Sequence, residues 1–145
     1  MDLKSEDQDS TPAVINVIPA NQDDLAEITQ FLNPFMDDRR LLRRSSVELQ
    51  LLLKHSFKAI SGSTIVGFCA LEIYSKKLAE IQCLAVHDSH RRLGIGKRLV
   101  HCCVQHARDE KVKELMAISS SDEMFMACGF DYSLPHQKRA LFIQP

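Results

Sequence analysis

The stretch His90-Arg91-Arg92-Leu93-Gly94-Ile95-Gly96-Lys97-Arg98-Leu99-Val100 decides how this chain is read. It follows Ile81-Gln82-Cys83-Leu84-Ala85-Val86, a nearly all-apolar run of the kind a central strand buried on both faces carries. Downstream, Ile95, Leu99, Cys102, Cys103 and Ala107 recur at helical spacing. Between the two, Gly94 and Gly96 remove side chains that would hold a ligand off the backbone, and the unpaired amides of a helix N-terminus face that gap. Arg91, Arg92, Lys97 and Arg98 add four positive charges in eight residues. This is an anion cradle, and polyphosphate is the guest it suits.

Spacing separates this loop from two commoner phosphate loops. A Walker loop needs two glycines five apart followed by Lys and Ser or Thr, and a dinucleotide fingerprint needs a third small residue where Leu99 stands. Arg-x-x-Gly-x-Gly, here Arg91 to Gly96, resembles instead the acetyl-CoA signature of the GNAT N-acetyltransferases, whose backbone amides cradle the CoA pyrophosphate.

A chain of 145 residues suits one domain with its own core. A net charge of −1 argues against a nucleic-acid binder and gives no reason to invoke a membrane surface. The acidic, polar start, Met1 to Ser10, is unlike a secretory leader, so a cytoplasmic protein is expected. Five cysteines with no regular framework, two of them adjacent at Cys102 and Cys103, read as free thiols. His87, His90, His101 and His106 match no structural zinc spacing with Cys83, Cys102 and Cys103, so no metal is expected.

In chain order, residues 1–12 read as a disordered acidic tail and residues 13–145 as the folded domain. Val14 to Ile18 is β-prone. Asn21 then caps a helix expected to run to about Leu32 and to end at Asn33-Pro34. After the charged run Arg39 to Arg44, Ser45 or Ser46 caps a second helix, Val47 to Lys54. A three-strand meander follows: Phe57 to Ile60, a turn at Ser61-Gly62-Ser63, Ile65 to Tyr74, and Leu78 to Val86. The cradle helix ends near Arg108-Asp109, Glu114 to Ile118 reads as a fifth strand, and Asp122 to Cys128 as a short helix stopped by Gly129. Phe130 to Tyr132 and Arg139 to Ile143 are expected as two closing strands. The order β-α-α-β-β-β-α-β-α-β-β resembles the full GNAT core. That likeness implies an α/β fold, a mixed and mostly antiparallel sheet with splayed fourth and fifth strands, flanked by about four helices.

A narrower resemblance rests on Asn33-Pro34-Phe35, Leu41-Leu42-Arg43-Arg44-Ser45, Ala79 to His87 and Gly129-Phe130. These spans look like the acetyltransferase domain of bacterial N-acetylglutamate synthases, in particular the short forms that lack an amino-acid-kinase-like domain. The likeness covers about Val14 to Ile143. It implies acetyl-CoA as co-substrate, L-glutamate as the amine acceptor in arginine biosynthesis, and direct transfer without a covalent enzyme intermediate. Pantetheine would lie along Leu84, Ala85 and Val86, and the pyrophosphate on Arg91, Arg92, Leu93, Gly94, Ile95, Gly96 and Lys97. Glu80 would be the general base. Arg43 and Arg44 would grip the glutamate carboxylates, since paired guanidinium forks suit that chemistry. Cys83 and Ser120 would contact substrate, and Ser119 would assist the departing sulfur. Phe125 stands where many family members carry an acidic tyrosine, leaving thiolate departure without a protein acid, or with Tyr132 or a serine in that role. Acetylation of another amine and acyl-CoA binding without turnover are the alternatives, and a homodimer is an expectation from the family alone.

Overall fold

The computed structural model describes residues 14–145, so the expected disordered tail, residues 1–12, lies outside the described residues. Five strands, β1 Ile15–Pro19, β2 Ser56–Ser61, β3 Thr64–Ile73, β4 Leu78–Val86 and β5 Glu114–Met116, pair in sequence order. The first three pairings are antiparallel and β4 with β5 is parallel. A parallel neighbour needs a crossover, and α3, Ile95–Asp109, supplies it. Helices α1, Leu25–Asp37, and α2, Ser46–Leu52, cover one face, where Ile28, Leu32, Leu49 and Leu53 pack on Phe68, Ala70, Cys83 and Ala85. Helix α3 and the short α4, Asp122–Ala127, cover the other, where Leu99, Val100, Cys103 and Phe125 meet Val66, Cys69, Leu71, Ala79 and Ile81. No helix among the described residues is long and apolar enough to cross a membrane. All five cysteines are free thiols.

Local chemistry fixes both helix starts. Asn21 accepts from Asp23 N through its side chain at 2.9 Å and donates its own N–H to Asp24 Oδ2 at 2.9 Å, starting a 3₁₀ turn that runs into α1. Ser45 and Glu48 form the reciprocal box for α2, with Glu48 N donating to Ser45 Oγ at 3.2 Å and Ser45 N to Glu48 Oε2 at 2.9 Å.

The structure corrects the expected end of α1. The helix does not stop at Asn33-Pro34; it carries Pro34 inside and continues to Asp37. An interior proline costs about 3 kcal/mol. The extra turn buries Phe35 and Met36 on the same stripe as Ile28 and Leu32, at about 1.5–3 kcal/mol for each side chain. Core burial outweighs the lost hydrogen bond. The two closing strands are also corrected. Phe130 to Tyr132 and Arg139 to Ile143 form no strand, and Leu141, Phe142 and Ile143 are 92%, 84% and 87% exposed. Their β-prone composition has no neighbouring ladder to pair with, because β5 is three residues long, and Pro135 interrupts the stretch between them.

Gly67 lets α3 sit close on the sheet. A Cβ there would stand 3.0 Å from Leu99 Cδ1, 3.1 Å from Ala59 Cβ and 3.2 Å from Ile95 Cγ2. Gly67→Ala is therefore expected to lower stability by about 1–3 kcal/mol in urea unfolding through overpacking. Ser45→Ala is expected to cost about 1 kcal/mol in the same measurement through loss of the cap. A Gly67→Ala variant as stable as wild type would show that the α3 contact is loose.

Candidate active site

Strand β4 is regular to Gln82 and then breaks step. Ala70 pairs with Gln82 and Phe68 with Ala85, so Cys69 alone faces both Cys83 and Leu84. This is a β-bulge, and Cys83 adopts a left-handed φ of 56° to make it. The side chains record the slip. Ala79 and Ile81 point to the α3 face, Cys83 and Ala85 to the α1–α2 face, and Leu84 and Val86 again pack toward α3. On its other edge β4 pairs with β5 only over Leu78, Ala79 and Glu80. Strand β5 ends at Met116, two residues short of the expected Ile118, and the two parallel strands part there. The β4 backbone from Ile81 to Val86 thus has no strand partner on that side among the described residues. An extended chain of amide groups can pair with such an edge.

The cradle lies where this edge ends. Asp88–His90 form a 3₁₀ turn, Arg92 takes a left-handed φ of 64°, and Gly94, φ 76°, is the N-cap of α3. Gly94 has no side chain to cap with, so the amides of Ile95, Gly96 and Lys97 are free of side-chain partners. A Cβ on Gly94 would meet nothing within 4 Å, and one on Gly96 only Val86 Cγ2 at 3.8 Å. An anion can therefore reach these amides, and a CoA pyrophosphate fits the donor set. The Ile95 side chain is buried beneath the cradle, whereas that of Leu93 is 61% exposed. Arg91 leans back on Asp88 at 3.1 Å, and Arg40 bonds the same carboxylate at 2.9 Å while stacking over Phe35 at 4.4 Å. This ties the cradle's entry turn to the end of α1. Arg98, counted with the cradle's charge, points elsewhere and donates to the Ile15 carbonyl at 2.9 Å.

On the α1–α2 side a polar chain crosses β3 and β4. Arg44 donates to Gln82 Oε1 at 2.5 Å, Gln82 donates to Glu72 Oε2 at 3.0 Å, and the Tyr74 hydroxyl bridges Glu72 at 3.2 Å and Glu80 at 2.5 Å. Glu72 and Glu80 are direct cross-strand partners, and the tyrosine proton between them offsets the repulsion of like charges. The hydrogen bond to Glu80, together with burial and the Glu72 charge, holds the Tyr74 hydroxyl well above the usual tyrosine range, so it remains a donor. Among the described residues, Arg44 Nε is buried with no hydrogen-bond partner. Cys83 lies beside this chain. Burial pushes its thiol up to about 11, against the pull of Arg44, and it stays protonated at neutral pH.

The structure therefore brings Glu80, Arg44 and Cys83 to one side of the bulge and separates Arg43 from them. Arg43 is exposed and paired with Asp37 at 2.5 Å. Ser119 and Ser120 lie on the exposed loop after β5, where Ser119 Oγ accepts from Ser121 N at 2.9 Å. Ser120 borders a surface hollow of about 600 Å³ with Asp122, Glu123 and Tyr132. Tyr132 donates to Asp122 at 3.0 Å, and Phe125 is buried against Phe130 at 5.2 Å between ring centroids. Glu72, Tyr74 and Gln82 escaped the sequence reading. The signal was present in part: polar residues alternate at 72 and 74 and again at 80 and 82, and a hairpin centred on Lys76 sets Glu72 opposite Glu80.

Comparison with known proteins agrees with this geometry. An uncharacterized N-acetyltransferase of Chlorobaculum tepidum is 28% identical over 107 residues, 74% of this chain and 69% of its own length. An amino-acid acetyltransferase of Aeromonas salmonicida is 26% identical over 129 residues, 85% of this chain but 29% of its own length. The N-acetylglutamate synthase structure from Neisseria gonorrhoeae with coenzyme A and N-acetyl-glutamate superposes with a TM-score of 0.69 at 25% identity, covering 79% of this chain and 27% of that one. This chain thus spans under a third of the length of the latter two. The model of the Acetyltransferase (GNAT) family matches residues 23–130, a span that includes the bulge, the parted strands and the cradle. The chain belongs to that family and is an acetyl-CoA-dependent N-acetyltransferase.

Proposed function

We propose that the acceptor is the α-amine of L-glutamate, held on the α1–α2 side of the bulge. The observation that carries this reading is Arg44. Its Nε is buried without a partner, which for a charged donor costs about 1–3 kcal/mol or more, and an acceptor carboxylate would remove that cost. The same guanidinium connects through Gln82, Glu72 and Tyr74 to Glu80, so carboxylate recognition and proton removal would share one hydrogen-bonded chain. Likeness to amino-acid acetyltransferases supports the reading further. Arg43, exposed and paired with Asp37, would contribute less than Arg44.

In this account Glu80 takes one proton from the substrate ammonium, directly or through a water, and the free amine attacks the thioester carbonyl carbon. A β4 backbone amide on the open edge near the bulge receives the oxyanion. The C–S bond then breaks, its electron pair leaves on the CoA sulfur, and the second amine proton goes to that thiolate or to solvent. Tyr74 is a positioning residue, fixing the Glu80 carboxylate through the 2.5 Å hydrogen bond. Ser119 and Ser120, on the loop beyond the parted strands, would assist the leaving sulfur and the acceptor. The thiolate is stable enough to leave without Phe125 being a proton donor. One observation favours a second reading: Glu72 beside Glu80 would suit a cationic acceptor such as a polyamine.

Thiol release with glutamate, aspartate, glutamine, arginine and spermidine separates the two readings. Preference for glutamate is expected, and preference for spermidine would transfer the site to the second reading. Arg44→Ala is expected to raise KM for glutamate about 10- to 100-fold with a smaller change in kcat, as loss of a charged hydrogen bond predicts; Arg43→Ala should change it less. Glu80→Gln is expected to lower kcat about 100-fold or more, as loss of a general base does. An undiminished kcat would remove Glu80 from that role. At the cradle, Gly96→Leu should raise KM for acetyl-CoA and leave KM for the amine unchanged.

A further inference from the structure

A second cluster of ligating side chains lies at the far end of α3, eleven residues from Ile95 and so about 16 Å along the helix from the cradle. His55 Nδ1 and His106 Nε2 face each other at 2.7 Å. Glu110 sits one helical turn beyond His106, with its Oε1 4.0 Å from the same Nε2. The three donor atoms all lie within 4.8 Å of one another, and all three residues are half-buried. His55 and His106 border a cavity of about 340 Å³ that Pro19, Phe57, Cys102 and Gln105 help to line. We propose that His55, His106 and Glu110 form a binding site for a divalent transition-metal ion such as zinc.

Without an ion the two rings meet as a hydrogen bond, one ring N–H donating to the other's lone pair, and a metal ion held by both nitrogens would take the place of that shared proton. Two nitrogens and one carboxylate oxygen suit zinc, and the cavity leaves room for a water as fourth ligand. A tetrahedral ion with Zn–N of about 2.0–2.1 Å holds its donors about 3.3 Å apart. Small χ rotations of His55 and Glu110 would reach that arrangement. Lys54 at the rim opposes a cation and Asp109 offsets it.

Placement suggests the ion's role. His55 ends the 3₁₀ turn that follows α2, on the layer covering one sheet face, whereas His106 and Glu110 belong to α3 or its C-cap on the other. A bound ion would clip the two layers together around the start of β2, away from the transfer site. Its expected effect is on stability and not on turnover.

The test is titration of the EDTA-treated full chain with cobalt(II), read by visible absorption and by thermal unfolding. One equivalent should bind with nitrogen and oxygen ligand-field bands, lack a thiolate charge-transfer band, raise the unfolding temperature, and be displaced by zinc. His106→Ala should abolish this binding, and Glu110→Gln or His55→Asn should weaken it by about tenfold or more. Cys102→Ser should leave it unchanged, and EDTA should not alter acetyl transfer. A thiolate band, or cobalt binding that all three ligand variants retain, would overturn the proposal.

Discussion

The backbone of β4 beyond Glu80 controls the rest of the molecule. A central strand normally satisfies its amides and carbonyls on both sides, because unpaired buried backbone groups are costly. Here the bulge at Cys83 and Leu84 turns the strand, and β5 ends at Met116, so one edge is left open between two well-packed layers. The surrounding structure holds that edge in place. Gly67 lets α3 press closely on the sheet, so that the helix N-terminus and its free amides stand at the end of the same strand. Arg40, bonded to Asp88 and stacked on Phe35, secures the turn between them.

The bulge also separates two chemistries. Toward α3 the residues around Leu84 and Val86 are apolar and lead to an anion cradle. Toward α1 and α2 the chain from Arg44 to Glu80 places a guanidinium, an amide, two carboxylates and a phenol in hydrogen-bonded series. Such a series orients each member through the next, so the Glu80 carboxylate, the base of the proposed transfer, is held in place before substrate arrives. The positive φ of Cys83 marks the residue at which the two sides divide.

Much of this was legible in the sequence. The apolar run, the paired glycines and the basic residues identify strand, cradle and helix, because each follows from local rules of periodicity and backbone freedom. Glu80, Arg44 and Cys83 came from family likeness, and they do fall on one side of the bulge. What escaped depends on tertiary context. Pro34 sits inside α1 because Phe35 and Met36 are buried beyond it, and the two closing strands are absent because composition alone cannot provide a pairing partner. Alternating polar residues mark Glu72 and Tyr74, but their meeting with Glu80 emerges only when the β3–β4 register is known. His55 and His106, 51 residues apart, meet only through the fold.

The most direct test of the account is a crystal structure with CoA and L-glutamate bound together. The pyrophosphate is expected on the amides of Ile95, Gly96 and Lys97, pantetheine paired with the open β4 edge, and a glutamate carboxylate on Arg44 with the amine facing Glu80. Glutamate bound away from Arg44, or pantetheine running outside the gap between β4 and β5, would contradict it.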